Sequence, residues 1–200
     1  EELSLRHRDT LFGEMGGLRP WLADHGVDLE LVYTSEFFSN LSGGINDDDA
    51  TEHRGDLSLM LTLDTAAAGW WENGTFFMHV QNQHGEGITE RHVGDFQVVS
   101  NIDADDYVQI SEFWYEHQFM EERLRLKFGK MEANEDFAGP EYSGEFSHSS
   151  GGYAPSIPLV TFPDQDWGVV LGLKPNDRFS MNIGAFQGRP NGGRSVGHTI

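Results

Sequence analysis

Apolar and polar residues alternate along much of this chain, a pattern that predicts β-strands with two chemically different faces. The clearest case is the segment DYVQISEFWYEHQFMEERLRLKFGKM, in which a polar break at residues 120–122 separates two alternating runs. Two such runs joined by a short polar break predict a β-hairpin. One face of this hairpin is apolar and aromatic. The other face carries the charged and aromatic side chains Glu112, Trp114, Glu116, Arg123, Arg125 and Lys127.

We expect the two strands of the hairpin to pair with Gln118 opposite Arg123. This register also sets Glu116 opposite Arg125, so that opposite charges meet across the ladder, where they stabilise the pairing. A face with fixed charges suits the outside of a soluble sheet, but it suits a water-filled interior equally well. The rest of the chain has to decide between the two arrangements.

The same alternation predicts about seven strands in all. Besides the hairpin, they cover residues 27–41, 55–64, 75–84, 166–173 and 178–187. The connections alternate in length: those at 42–54, 85–106 and 131–165 are long, and those at 65–73, 120–122 and 174–177 are short. All short turns then lie at one end of the sheet and all long loops at the other, as in outer-membrane barrels. A short helix is predicted before the first strand, from about Leu18 to His25, with Pro20 in its first turn and Gly26 after its end.

Composition narrows the function classes. The net charge of −20 argues strongly against nucleic acid as a partner, because a surface that is acidic overall repels a polyphosphate chain. The chain contains no cysteine, which excludes thiol catalysis and thiolate metal sites. It has neither an HExxH nor a GxSxG motif and no phosphate-binding glycine loop, so we predict no catalytic residue, metal site or cofactor. No apolar run approaches the roughly 20 residues of a membrane helix, although a membrane barrel hides its hydrophobicity in alternation.

Four segments of the chain resemble, in order, the carbohydrate-selective porins of the OprB family. They are LFGEMGGLRPWLADHGVDLELVY, ISEFWYEHQF, LRLKFGKMEANEDFA and FSHSSGGYAPSIPLVTFPDQDWGVVLGL. Each segment alone is a weak match to the family, but the four in this order are specific and span most of the chain. The family usually has a tryptophan where this chain has Met15, a departure that concerns the packing of the helix.

The resemblance implies an all-β fold, an antiparallel transmembrane β-barrel of 16 strands in the outer membrane of a Gram-negative-type envelope. It implies passive diffusion of small sugars, with outer-membrane lipid around the barrel, and leaves open whether the pore is a monomer or a homotrimer. Residues 1–26 would form an N-terminal segment with a short helix, and residues 27–200 the N-terminal half of the barrel. Seven strands cannot close such a barrel, and an open edge is not tolerated in lipid, so we expect a truncated chain.

A sugar that passes through a pore has to exchange water for equivalent hydrogen bonds without binding too tightly to leave. The charged residues of the hairpin supply donors and acceptors for this exchange, and Trp114 and Phe77 offer flat surfaces to a sugar ring. The loop at 131–165, with Tyr142 and Tyr153, is the candidate for folding inward to narrow the pore.

Other interpretations stay open from the sequence. Glu116 and Arg125 could form a salt bridge that only stiffens the wall. The chain could also be a soluble β-sandwich that binds carbohydrate, or a glycosidase that uses Glu112 and Glu116. Four residues along a strand cover about 13 Å, which is too far for either glycosidase geometry and weakens the enzyme hypothesis. A requirement for detergent would distinguish a porin from both soluble alternatives.

Overall fold

The computed structural model describes residues 10–140, 142, 146–152 and 159–188 of the chain. Seven strands form one antiparallel sheet in which spatial order follows sequence order. The strands are Val27–Ser39 (β1), Thr51–Asp64 (β2), Gly74–Gly85 (β3), Tyr107–Phe119 (β4), Leu124–Met131 (β5), Asp166–Asn176 (β6) and Phe179–Phe186 (β7). The predicted all-β sheet is therefore confirmed, with β2 beginning at Thr51 rather than at residue 55.

The predicted N-terminal helix is also present. It spans Leu18–Asp24 (α1) and follows a 3-10 turn at Met15–Gly17. Gly26, in the left-handed conformation at φ +76°, ends this helical segment and leads into β1. The Gly26 carbonyl accepts a hydrogen bond from the Asp64 amide at 2.8 Å, so α1 lies at the end of the sheet where the short turns are.

The predicted register of the hairpin is wrong by two residues. β4 and β5 pair with Phe119 opposite Leu124, which places Gln118 opposite Arg125 and Glu116 opposite Lys127. The turn is wider than predicted, because Met120, Glu121 and Glu122 all have positive φ and Arg123 also belongs to the turn. A shift of two residues leaves every side chain on its predicted face of the sheet, since side chains alternate between the faces with a period of two.

The two faces of the sheet differ in chemistry and in what covers them. The outer face carries large apolar side chains, and Leu57 and Phe128 are 38% and 48% exposed. Within the described residues, no second layer covers this face. The inner face is polar and largely buried by loops, with Asp56, Gln81, Gln109, Glu112 and Lys127 among its buried residues.

A β-bulge keeps the two faces separate along β4. His79 pairs with Glu112 and Val80 pairs with Ile110, so Ser111 is an extra residue between them. The Ser111 hydroxyl donates to the His79 carbonyl at 3.1 Å. The bulge lets both halves of β4 present polar residues to the inner face although their sequence parity differs.

The long loops converge on the inner face at their end of the sheet. Arg54 of β2 pairs with Asp106 at 3.1 Å in the β3–β4 loop. In the same loop, Ser100 donates to Glu36 of β1 and forms a β-bridge with His148 of the β5–β6 segment. The loops therefore fill space on the inner side and leave the outer face bare.

Within the described residues, no helix has both the length and the apolar character needed to cross a bilayer.

A charge placed on either face of β2 tests the orientation of the sheet. Leu59 lies near the middle of β2 on the outer face, and Met60 lies beside it on the inner face. In the full-length protein folded in lipid, we expect Leu59→Arg to lower the free energy of unfolding by about 2–4 kcal/mol, the cost of arginine at the bilayer midplane. Met60→Arg, which faces Glu30 across the ladder, should cost much less. If urea titrations show that both variants lose the same free energy of unfolding, the assignment of the two faces is contradicted.

Candidate functional site

Five of the six predicted site residues lie together on the inner face. Glu112, Trp114 and Glu116 project from β4, and Arg125 and Lys127 project from β5. The sixth residue, Arg123, lies apart from them, exposed in the β4–β5 turn. The inner-face cluster therefore forms at the centre of the described sheet, where β4 and β5 pair so that their charged side chains lie on the same face.

The cations of this cluster are paired with acidic residues of a short helix that follows β5. This helix, Ala133–Phe137 (α2), folds back onto the inner face. Asp136 accepts a hydrogen bond from Arg125 Nη2 and lies 3.7 Å from Lys127 Nζ. Lys127 Nζ also lies 3.3 Å from Glu135 Oε2. Both Lys127 and Asp136 are buried, at 4% and 6% side-chain exposure, so the pairing offsets a large desolvation cost.

Contacts to β7 hold α2 in this position. Asn182 Nδ2 donates to the Asp136 carbonyl at 2.9 Å. The rings of Phe137 and Phe186 meet edge to face with centroids 6.0 Å apart. The start of the β5–β6 segment therefore lies against the inner face of β5 and β7.

The predicted pair of Glu116 and Arg125 is present as a diagonal contact. Arg125 Nη1 lies 3.3 Å from Glu116 Oε2, while the residue directly opposite Glu116 is Lys127. Arg125 is thus shared between Glu116 on β4 and Asp136 on α2. Its guanidinium joins the wall of the sheet to the segment that folds over it.

Trp114 is flanked by neighbours from the strands on both sides of β4. Phe77 of β3 stacks on the indole at a centroid distance of 4.9 Å. Lys127 Nζ of β5 lies 4.3 Å from the ring centroid, a distance typical of a cation–π contact. The indole nitrogen donates to Glu112 Oε2 at 3.2 Å. Trp114 thus links an aromatic, a basic and an acidic side chain.

The backbone amide of Glu132 connects this cluster to the base of α2 by donating a hydrogen bond to Glu112. The Glu132 amide contacts Glu112 Oε2 at 3.4 Å, and Gln165 Nε2 donates to Glu132 Oε1 at 2.8 Å. Burial, with further contributions from the nearby charges of Glu112 and Glu135, raises the pKa of Glu132 to about 7. Glu132 therefore changes charge near neutral pH at the point where β5 gives way to α2.

The predicted constriction tyrosines lie further along the β5–β6 segment than α2. Tyr142 is 69% exposed, and Tyr153 lies outside the described residues. The residues that sequence reasoning missed are Glu132, Glu135 and Asp136. Their signal was present in the segment GKMEANEDFA, since a run of acids directly follows a strand whose inner face is basic.

Comparisons with known proteins agree with this architecture. The carbohydrate-selective porin family OprB matches residues 47–199. Porin B of Pseudomonas aeruginosa is 23% identical over 193 residues, which cover 90% of this chain and 42% of that protein.

Two solved structures of OprB from Pseudomonas putida share the fold. The high-pH structure has a TM-score of 0.80 at 24% identity and covers 92% of this chain and 46% of that one. The low-pH structure has a TM-score of 0.56 at 20% identity, with 94% and 52% covered. This chain therefore spans about half the length of the proteins it matches. Because the family match extends over most of the described strands, the chain belongs to the carbohydrate-selective porin family OprB, whose members are outer-membrane proteins.

Proposed function

We propose that the full-length protein is an outer-membrane porin through which small sugars diffuse passively. In this proposal residues 27–200 form about half of a closed barrel of 16 strands, and residues 1–26 form a segment at its short-turn end. The observation that carries the proposal is the inverted distribution of polarity: the outer face is apolar and bare, and the inner face is polar and lined with charges. Such a wall separates lipid from water.

The free edges of the sheet support barrel closure by further strands. β1 pairs only with β2, and β7 pairs only with β6, among the described strands. Unpaired backbone groups on such edges are costly in a bilayer, where no water can satisfy them. Additional strands of the full-length protein, as in a 16-stranded barrel, would pair both edges.

The cluster around α2 is suited to a neutral polyhydroxylated solute. Arg125 and Lys127 present donors, while Glu116 and Asp136 present acceptors within the same few ångströms. A sugar hydroxyl both donates and accepts, so it can exchange water for these groups without a net charge of its own. Pairing of the charges limits how tightly any one group holds the solute, which favours passage over retention.

Trp114 and α2 give this part of the path its shape. The indole is fixed between Phe77 and Lys127, so it presents a rigid edge and holds the lysine in place. α2 narrows the space in front of the β5 cations because it packs directly on their inner side. The described residues thus combine a narrowing with hydrogen-bonding groups of both kinds.

The soluble alternatives receive no support from the structure. A β-sandwich would bury outer-face leucines and phenylalanines against a second sheet, whereas Leu57 and Phe128 are exposed. We test the porin function by reconstituting the full-length protein in liposomes and measuring swelling with sugars of increasing size. Rapid swelling with monosaccharides that declines with size is expected. Protein that stays soluble without detergent and produces no swelling would refute the proposal.

Reversal of one inner-face charge should change ion selectivity. We expect Arg125→Glu in the full-length protein to raise the cation-to-anion permeability ratio by a factor of about 2 to 10, because a two-unit charge change in a confined aqueous path alters the local potential by about kT or more. The matched control is Arg123→Glu, which makes the same change at an exposed turn position. Reversal potentials in a salt gradient measure the effect. Equal shifts in both variants would remove Arg125 from the path.

Truncation of the tryptophan should weaken the interaction with sugar. We expect Trp114→Ala to raise the sugar concentration that half-blocks single-channel current by about 2- to 10-fold, in line with about 0.5–1.5 kcal/mol for an aromatic contact. Trp114→Phe keeps a ring but loses the hydrogen bond to Glu112, so its half-blocking sugar concentration should lie between those of the parent protein and the alanine variant. Unchanged block in the alanine variant would exclude Trp114 from the sugar path.

The stability with which α2 packs on the inner face should depend on pH through the carboxyl group of Glu132. Its raised pKa means that folding favours the protonated carboxyl, so the packing of α2 is most stable below pH 4.5. This stability is lost as pH rises from there toward about 7, where the penalty for the buried charge becomes complete. Amide exchange of residues 133–139, corrected for intrinsic rates, should therefore accelerate across this range. Glu132→Gln should remove the dependence, and an unchanged profile in that variant would show that Glu132 is not the group responsible.

A further inference from the structure

The outer face changes chemistry along the strands. At the short-turn end it carries linked aromatic residues, and Trp71 Nε1 donates to Tyr115 Oη at 2.7 Å. At the centre of β1, β2 and β3 it is aliphatic, with Leu31, Leu59 and Val80 side by side. At the long-loop end, β1, β2 and β3 instead present a set of polar side chains, which we call the outer histidine patch: Tyr33, Ser35, His53, Asn82 and His84.

The first half of the patch is built around a glycine. His84 Nε2 and Tyr33 Oη lie 3.1 Å apart, with their rings parallel, and His84 Nδ1 contacts Asn82 Oδ1 at 2.9 Å. The two rings meet directly over Gly55, where a Cβ atom would lie 2.4 Å from His84 Nε2 and 2.9 Å from Tyr33 Oη. The absence of a side chain at Gly55 is therefore required for this arrangement.

The second half of the patch leaves a ring nitrogen available. His53 Nε2 contacts Ser35 Oγ at 3.0 Å, and its ring lies 6.2 Å from that of His84. Within the described residues, His53 Nδ1 has no hydrogen-bond partner. Ser35 fixes the imidazole through one nitrogen, so the other can bond to a group outside the protein.

The outer face around the patch contains no carboxylate. No outer position in the seven described strands is Asp or Glu, although the chain has 33 acidic residues. The charged neighbours in β1 and β2, namely Glu36, Glu52, Arg54 and Asp56, alternate to the inner face. The ionisable side chains on this part of the outer face are Tyr33, His53 and His84, so no acidic side chain on this face repels a phosphate group.

We propose that the outer histidine patch binds phosphate groups of lipid in the outer leaflet of the membrane. The inference rests on the outward orientation of this face in the proposed porin. An imidazole is costly in hydrocarbon, and the end of the barrel wall is where polar lipid groups begin. His53 Nδ1 donates to a phosphate oxygen, and because the acceptor is charged this hydrogen bond is stronger than one between neutral groups.

The test measures lipid retention by the full-length protein in maltoside micelles. Lipid A with its phosphates, or the same lipid after enzymatic removal of them, is added at the same concentration. Native mass spectrometry counts the bound lipid. We expect several-fold greater retention of the phosphorylated lipid, and loss of this excess in His53→Gln and in His84→Gln.

The control is His117→Gln, which changes a histidine on the same outer face at the short-turn end and should retain lipid as the parent protein does. Liposome swelling with sugar should be unchanged in all three variants, so a failure of the patch is distinguishable from a failure of the pore. Heat-modifiable migration in gels confirms that each variant folds, and if one does not, the comparison of the two lipids on the parent protein decides the matter. Equal retention of the two lipids, or a second copy of the chain found cross-linked at the patch, would overturn the proposal.

Discussion

The period-two alternation of side chains in a strand is the constraint on which this structure depends. Because of it, a single layer of sheet has two faces in different environments. Whether a residue occupies an odd or an even position along its strand decides on which face its side chain lies. The chain keeps this assignment over seven strands, and the bulge at Ser111 corrects the phase where the parity of β4 changes. Because the apolar side chains point outward, the inner side is packed by polar loops and not by a hydrophobic core. The usual relation between burial and polarity in soluble proteins is thereby reversed.

Placing charge on the inner side creates a second requirement, which the β5–β6 segment meets. Lys127 is buried, and a buried cation without a partner would be strongly destabilising. Asp136 supplies the compensating charge to both Arg125 and Lys127, and β7 holds its helix in place through Asn182. α2 thus neutralises the cations of the inner face. The narrowing proposed for the sugar path and the packing of the inner face therefore depend on the same ion pairs.

Much of the fold could be predicted from the sequence, because alternation and loop length are local signals. The strands, the facing of the hairpin and the helix at Leu18–Asp24 are all confirmed. The register between β4 and β5 could not be predicted, since it depends on three consecutive residues with positive φ that no glycine marks. α2 was missed because five residues are too short for a periodic signal. Its partners could be found only from the pairing of distant charges, which the three-dimensional structure supplies.

The most direct test of the central claim is a cysteine scan of β2 against a background in which every other cysteine of the full-length protein has been replaced. Single cysteines introduced in turn along β2, from Leu57 to Leu63, in the full-length protein in liposomes can be exposed to a thiol reagent that is soluble only in water. The alternation of the strand predicts that cysteines in place of the half-buried Met60 and Thr62 react, while those replacing the leucines are protected by lipid. Ser58 is buried and is left out of the comparison. Uniform reactivity, or the opposite alternation, would contradict an outer face in lipid and an inner face in water.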